Sequence, residues 1–293
     1  MLLTRVLEDT MKQQTKKLSP LSIILRFIRT RREKRDLNQL SSIPCNATAL
    51  SRSIDQTKLQ QFFLSQDMES EWLEVDREIS SLRITEKAGG ITAGDRRALY
   101  YLLRYLRPRA VLEIGTYIGA STVHIIAALR QGRLEDQAHA GKLVTVDICD
   151  VNEAHLQPWL RWGATYSPRD MAAKMGAADW VRFIINLSME YFSRCTEGYD
   201  CIFLDGDHAA QTVYQEIPAA LKLLNPEGVI LLHDYYPNRR PLWSNGTLIP
   251  GPWLATQRLK AEGARFRILP LGELPCKTKL NSKVTSLALL VGE

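Results

Sequence analysis

Two patterns of hydrophobic and polar positions divide the chain. Beyond residue 107, short continuous apolar runs occur at 110–115, 143–148, 181–186, 199–205, 228–234, 266–270 and 286–292. Runs of this length read as buried strands. Between several of them, at 121–130, 212–224 and 253–262, apolar residues recur every three or four positions, as on a helix. Strands alternating with helices predict an α/β, doubly wound and mainly parallel sheet covered on both faces. Ligands of such sheets sit beyond the carboxyl ends of the strands, near the switch in strand order.

Residues 1–85 do not alternate this way and read as a helical N-terminal extension to a domain spanning 86–293. Phe62, Phe63, Trp72, Leu73, Val75 and Ile79 stand among many acids between Lys58 and Leu82, consistent with one or two helices. Residues 37 to about 55 are polar, with Ser41, Ser42 and Pro44, and read as a linker. After a turn at Gly89 and Gly90, Thr92 or Asp95 can cap a helix running to about Leu106.

Charge sharpens the division. The 293 residues carry a net charge of +6, yet nine lysines and arginines against two acids fall between Lys12 and Asp36. Leu21, Ile24, Leu25 and Ile28 lie at helical spacing opposite Arg26, Arg29 and Arg32. This basic amphipathic helix suits an anionic membrane surface, or packing on the body or on a second copy of the chain. It lacks the interleaved aromatics of a nucleic-acid reader, so no nucleic-acid partner is expected. No run approaches the ~18 apolar residues of a membrane span, and the first twenty residues do not form a secretory signal, so a cytoplasmic protein is expected. The five cysteines are scattered without a C-x-x-C pair, so neither a disulfide framework nor a zinc knuckle is suggested and reduced thiols are expected.

The candidate chemistry collects at the strand ends. In "VLEIGTYIGAST", Glu113 ends the first strand and Gly115 and Gly119 bracket a turn into a helix. The turn is neither the G-x-G-x-x-G of dinucleotide binding nor a P-loop, which argues against a pyrophosphate ligand and disfavours a nicotinamide dehydrogenase. With Ser121 at the helix start it suits a smaller anion such as an amino-acid carboxylate, and Glu113 can face the matching ammonium group. Asp147 ends the second strand, where a carboxylate can accept both hydroxyls of a ribose or else cap a helix. Asn186, Leu187 and Ser188 follow the third strand, Asp205 to His208 the fourth, and His233 and Asp234 the fifth. The implied ligand is a nucleoside joined to an amino acid. No G-x-S-x-G elbow supports a serine hydrolase.

"VLEIGTYIGAST", "LVTVDI", "YDCIFLDGDH" and "NPEGVILLHD", in that order, resemble the class I S-adenosylmethionine-dependent methyltransferases. The resemblance covers roughly residues 88–293 and is closest to the small-molecule O-methyltransferases, which include catechol, caffeoyl-CoA and antibiotic-sugar enzymes. It implies a seven-stranded Rossmann-like sheet with the last strand antiparallel. It further implies that Glu113, Gly115, Thr116, Tyr117, Gly119 and Ser121 hold the amino-acid end of the donor and Asp147 its ribose, and that the loop Asn186 to Ser188 flanks its adenine, with Asp205 bordering the same site.

In metal-dependent members of that group, acids at the positions of Asp205, His233 and Asp234 bind Mg²⁺. His233 departs from the pattern, and an imidazole suits Mn²⁺, Zn²⁺ or Fe²⁺ better, so a divalent metal such as Mg²⁺ or Mn²⁺ is expected with its identity open; the alternative is that His233 is a strand-end side chain hydrogen-bonded to Asp205 or Asp207. Asp207 and His208 are the candidate general bases. "DGD" repeats the sugar-methyltransferase pattern and favours Asp207, whereas an imidazole titrates near ~6.5 and matches neutral pH. The aromatic stretch 235–253, with Tyr235, Tyr236, Trp243 and Trp253 plus Arg239 and Arg240, is expected to wall the acceptor, and half of Trp159, Trp162 and Trp180 to be plain packing. The resulting expectation is an O-methyltransferase of a sugar or phenol hydroxyl in natural-product biosynthesis, working as a homo-oligomer. The alternative is a relative on the same fold without that activity, hydroxylase-like or a membrane-docked scaffold.

Overall fold

A computed structural model of the chain describes residues 20–84, 90–136 and 141–293. Lys12, Lys16, Lys17 and Gly89 fall outside it, as do the side chains of Leu21, Ile24, Leu25 and Arg26. In chain order the elements are α1 (Pro20–Asn38), α2 (Gln56–Phe63), α3 (Gln66–Ser81), α4 (Ala93–Leu106), β1 (Ala110–Ile114), α5 (Ala120–Glu135), β2 (Lys142–Asp147), α6 (Pro158–Arg161), α7 (Pro168–Lys174), β3 (Val181–Ile185), α8 (Ser188–Arg194), β4 (Tyr199–Leu204), α9 (Ala210–Leu221), β5 (Leu224–Leu232), α10 (Gly251–Ala261), β6 (Arg267–Pro270) and β7 (Ala288–Val291). The described strands make one seven-stranded sheet of order β3-β2-β1-β4-β5-β7-β6. β1 to β5 pair in parallel, and β7 runs antiparallel to both β5 and β6. The order reverses between β1 and β4, which opens the crevice that holds the site.

Continuous apolar runs became strands because both faces are covered: every residue of β1 and β7 is buried. β5 begins four residues before the apolar run does. Leu224 pairs with Tyr199, then the register shifts before Cys201, and the polar Asn225-Pro226-Glu227 segment between hides the early start from a hydrophobicity reading. α5 is buried from Ala120 to Leu129, as a helix with no polar face must be. Within it His124 stacks on Trp72 at 5.9 Å and lies 2.6 Å from the Ala120 carbonyl; burial, with Arg96 adding to it, lowers its pKa to about 3, so it is neutral.

The N-terminal extension is not a loose appendage. Leu59, Phe63, Trp72, Val75 and Ile79 join α4 and α5 in the core on one sheet face, while Leu37 and Leu50 join α9 and α10 on the other. The stretch read as a linker is packed as well, with Leu50 and Ile54 buried and the Ile43 amide donating to the Tyr214 hydroxyl. Ion pairs lock this contact: Arg104 grips Glu71 in bidentate fashion at 2.7 and 2.9 Å and also pairs with Glu135, while Arg130 pairs with Glu78. Arg104 is almost fully buried, so its charge would be stranded only if both carboxylates were removed. Among the described residues, no helix is long and apolar enough to cross a membrane.

Candidate active site

A cavity of about 890 Å³ opens at the carboxyl ends of β1, β2, β4 and β5. Its floor is the turn between β1 and α5. Gly115 has φ +99°, and a Cβ there would lie 2.4 Å from the Asp205 carbonyl oxygen. Only glycine lets the ends of β1 and β4 come this close. Gly119, φ +74°, forms the N-cap of α5 and offers no side-chain cap, leaving the first amides of a 16-residue helix free for an anion. Tyr117 holds φ +48° without being glycine, a strained conformation of the kind that clusters at ligand sites.

Two acids organise this floor. Asp147 accepts the amides of Thr116 and Tyr117 on one carboxylate oxygen and that of Cys149 on the other. It therefore shapes the turn while lining the cavity. Glu113 lies elsewhere than the sequence suggested. It is fully buried beneath the turn and outside the cavity wall, where Thr122 and Thr145 donate to its Oε2 at 2.6 and 2.7 Å. Its Oε1 has no hydrogen-bond partner; Ser121 helps stabilise the carboxylate without aligning on that atom. Burial, with the charge of Asp205 adding, pushes its carboxyl up to about 7. Glu113 therefore does not reach the cavity wall, where the sequence reading had it face a ligand's ammonium group. Thr116, Tyr117 and Ser121 line the cavity; Gly119 acts only through the backbone.

At the β4 and β5 ends, ligand atoms of Asp205, His208 and His233 lie within 4.8 Å of one another. His233 Nδ1 is 2.6 Å from Asp205 Oδ1 and 3.9 Å from Asp234 Oδ2. Despite that proximity, Nδ1 is buried without an aligned hydrogen bond. On its other side Nε2 faces Asp95, itself fully buried and held by the amide and hydroxyl of Ser286. Burial alone would strip the proton from His233; Asp205 and Asp234, together with Asp95, override it and hold the imidazole well above its usual range. Asp234, φ +52°, stands 3.5 Å from His208 Nε2. It belongs to the outer side of the cluster, where His208 rather than Asp234 completes the converging trio.

The two candidate bases are placed differently. Asp207 accepts the Ala209 amide and the Thr212 hydroxyl, capping the approach to α9. His208 turns toward Asp205 and Asp234, at 3.7 and 3.5 Å.

The aromatic stretch after β5 departs from expectation. Tyr236 and Trp243 pack edge to face at 5.8 Å in a small core with Leu248, Tyr235 is buried against α10, and Arg239 covers Trp253. None of these rings lines the cavity, because each finds a partner within its own loop or on α10. Trp162 does line it, at 4.5 Å from the Tyr117 ring, while Trp159 is core and Trp180 sits under Arg133. Two residues escaped the sequence reading. Asp95 looked like an ordinary capping acid, and Thr92 does cap its amide. Glu216 interrupts the apolar stripe Val213, Ile217, Ala220 of α9, a signal that was present and overlooked.

The sheet order, with the glycine turn and the strand-end acids gathered around one cavity, defines a doubly wound, Rossmann-like fold. Residues 112–235 match the family model described as a methyltransferase domain. An O-methyltransferase of Aspergillus hancockii is 28% identical over 128 residues, covering 44% of this chain and 43% of that protein. A Mycobacterium sp. (strain JLS) protein named as a candidate O-methyltransferase is 27% identical over 147 residues, 50% of this chain and 57% of that one. The chain thus spans about half the length of these curated relatives. Among solved structures, an O-methyltransferase from Bacillus cereus in complex with SAH covers 80% of this chain and 96% of its own at 19% identity and TM-score 0.48. TomG of Streptomyces achromogenes, an O-methyltransferase involved in tomaymycin synthesis and bound to SAM, covers 82% and 100% at 17% and 0.46.

Proposed function

We propose that the protein transfers the methyl group of S-adenosylmethionine to a hydroxyl of a small molecule. The carrying observation is that one cavity gathers the uncapped start of α5, Asp147 and the Asp205–His208–His233 cluster on the switch point of the sheet. In this reading the donor's carboxylate meets the free amides of α5 and its ribose meets Asp147. Its sulfonium points toward β4, so the acceptor enters from the side of His208 and Asp234.

His208 takes the acceptor's proton. Its Nε2 sits at the open side of the cluster, and the neighbouring carboxylates orient the ring, whereas both oxygens of Asp207 are already engaged. Methyl transfer from a sulfonium needs mainly alignment of nucleophile, carbon and leaving sulfur, which the rigid turn supplies. A divalent metal fits the cluster on two counts. Three carboxylates surround one buried imidazole whose Nδ1 is orphaned, and Asp95 backs the opposite nitrogen, as metal-ligating histidines require. Asp205 and His233 would hold it, with Asp234 reaching in from the outer side of the cluster, and this mixed nitrogen and oxygen set suits Mn²⁺ or Zn²⁺ better than Mg²⁺. When bound, such an ion lowers the pKa of a coordinated hydroxyl.

Calorimetric titration of the full chain with S-adenosylhomocysteine tests the reading. One-to-one binding that S-adenosylmethionine displaces is the expected result; no heat at millimolar ligand, with or without Mn²⁺, overturns it.

A further inference from the structure

Glu216 is a buried acid with an unusual setting. It projects from α9 and is 1% exposed, yet it belongs to the cavity wall. Its partner is the hydroxyl of Ser188, at the start of α8, against which α9 packs. No lysine or arginine pairs with it among the described residues. Burial, with the charge of Asp207 adding and Ser188 opposing, pushes its carboxyl up to about 7. A leucine at this place in the apolar stripe of α9 would pack without that cost, so the stability of the helix does not explain the acid.

The cavity supplies an explanation. Running along the strand ends, it passes from the β1 turn to Asp147 and on to Leu187, Ser188 and Met189 after β3. Ile148 lies in the same wall, so the far end offers apolar side chains to the faces of a flat ring. Asn186, Ser188 and Gln215 line the same wall with neutral acceptors, and Leu187 and Met189 carry no strong side-chain acceptor for the ring's edge. Glu216 provides the carboxylate there.

We infer that Glu216 reads the base of the donor nucleoside, accepting a hydrogen bond from the exocyclic amine of adenine. This rests on the methyltransferase reading and adds the residue that sets its base specificity. Above about pH 8, where the acid is ionised, a 6-oxopurine would place a carbonyl oxygen against it instead of an amine, acceptor against acceptor, and would be rejected; the comparison below is run there.

The experiment compares S-adenosylhomocysteine with S-inosylhomocysteine, its 6-oxo counterpart, by calorimetry on the full chain and on the Glu216→Gln and Glu216→Leu variants. Thermal melts confirm that each variant is folded. The wild type is expected to prefer adenine by about tenfold to a hundredfold, the range for one hydrogen bond to a charged group. Glu216→Leu should lose that preference. Glu216→Gln should keep adenine binding and strengthen binding of the 6-oxo ligand, because an amide can donate to the carbonyl; a purely structural role would not produce this gain. Equal binding of the two ligands by the wild type, or an unchanged preference in both folded variants, overturns the role of Glu216 while leaving the donor site standing. Failure of the wild type to bind either ligand overturns the methyltransferase reading and this inference with it.

Discussion

At the β1 and β2 ends of the cavity the site is shaped by backbone, and at the β4 and β5 ends by charge. The first region uses two glycines at positive φ, an uncapped helix start and an aspartate that ties three amides together. Its geometry is fixed before a ligand arrives. The second places three carboxylates and two imidazoles within a few ångströms, with one buried imidazole nitrogen left unsatisfied. The first region suits a ligand of constant shape, as a donor molecule is; the second suits a step in which charge moves.

The sharpest way to break this contrast is Gly115→Ala. The new methyl group would meet the Asp205 carbonyl at 2.4 Å in a backbone region hostile to alanine, so the ends of β1 and β4 must separate. Both halves should fail together: S-adenosylhomocysteine affinity should drop by more than about a hundredfold and stability by about 2–4 kcal/mol, read by calorimetry and denaturant unfolding.

A second change should separate the halves. His208→Gln is expected to lower turnover by about 10²- to 10⁴-fold while leaving S-adenosylhomocysteine affinity within about threefold, because the ring belongs to the charged end alone. Asp207→Asn should leave turnover within about tenfold, since this carboxylate is occupied by the Ala209 amide and the Thr212 hydroxyl. Rates with any accepted hydroxyl substrate settle the comparison; a larger loss for Asp207→Asn would transfer the proton-accepting role to it.

The smallest expected effect concerns pH. The Glu216 carboxyl is raised from 4.5 to about 7 on folding, chiefly by burial. Between those values the folded chain keeps a proton that the unfolded chain has released, so unfolding free energy falls as pH rises through this window and levels off above it. Glu113 contributes a slope of the same sign. Glu216→Gln should remove its own share, gaining on the order of 1–3 kcal/mol at pH 8 relative to pH 4.5 in ligand-free urea melts. A variant with the wild-type pH slope would show that Glu216 is ionised in the folded chain.

How much of this was legible in the sequence follows from the same physics. Strands buried on both faces announce themselves as continuous apolar runs, and all seven were readable to within a residue or two except for the early start of β5. The glycine turn was readable because its two glycines stand where φ is positive. What the sequence hid were the partnerships between distant segments. Nothing near Glu71 indicates that Arg104 will seal it against α4, so the extension read as peripheral. The rings of 235–253 looked like a ligand wall because exposed and buried aromatics are alike in sequence; the fold gave them one another. Asp95 carried a capping pattern that concealed its contact with His233, 138 positions away.

The central claim is that the cavity holds a nucleoside joined to an amino acid, stretched across the ends of β1, β2 and β3. A crystal structure of the chain with S-adenosylhomocysteine tests it most directly. The account expects the ligand carboxylate at the first amides of α5, the ribose against Asp147 and the adenine between Ile148 and the Leu187–Met189 loop. A ligand bound elsewhere, or lying across the β4 and β5 ends with the glycine turn empty, would contradict it.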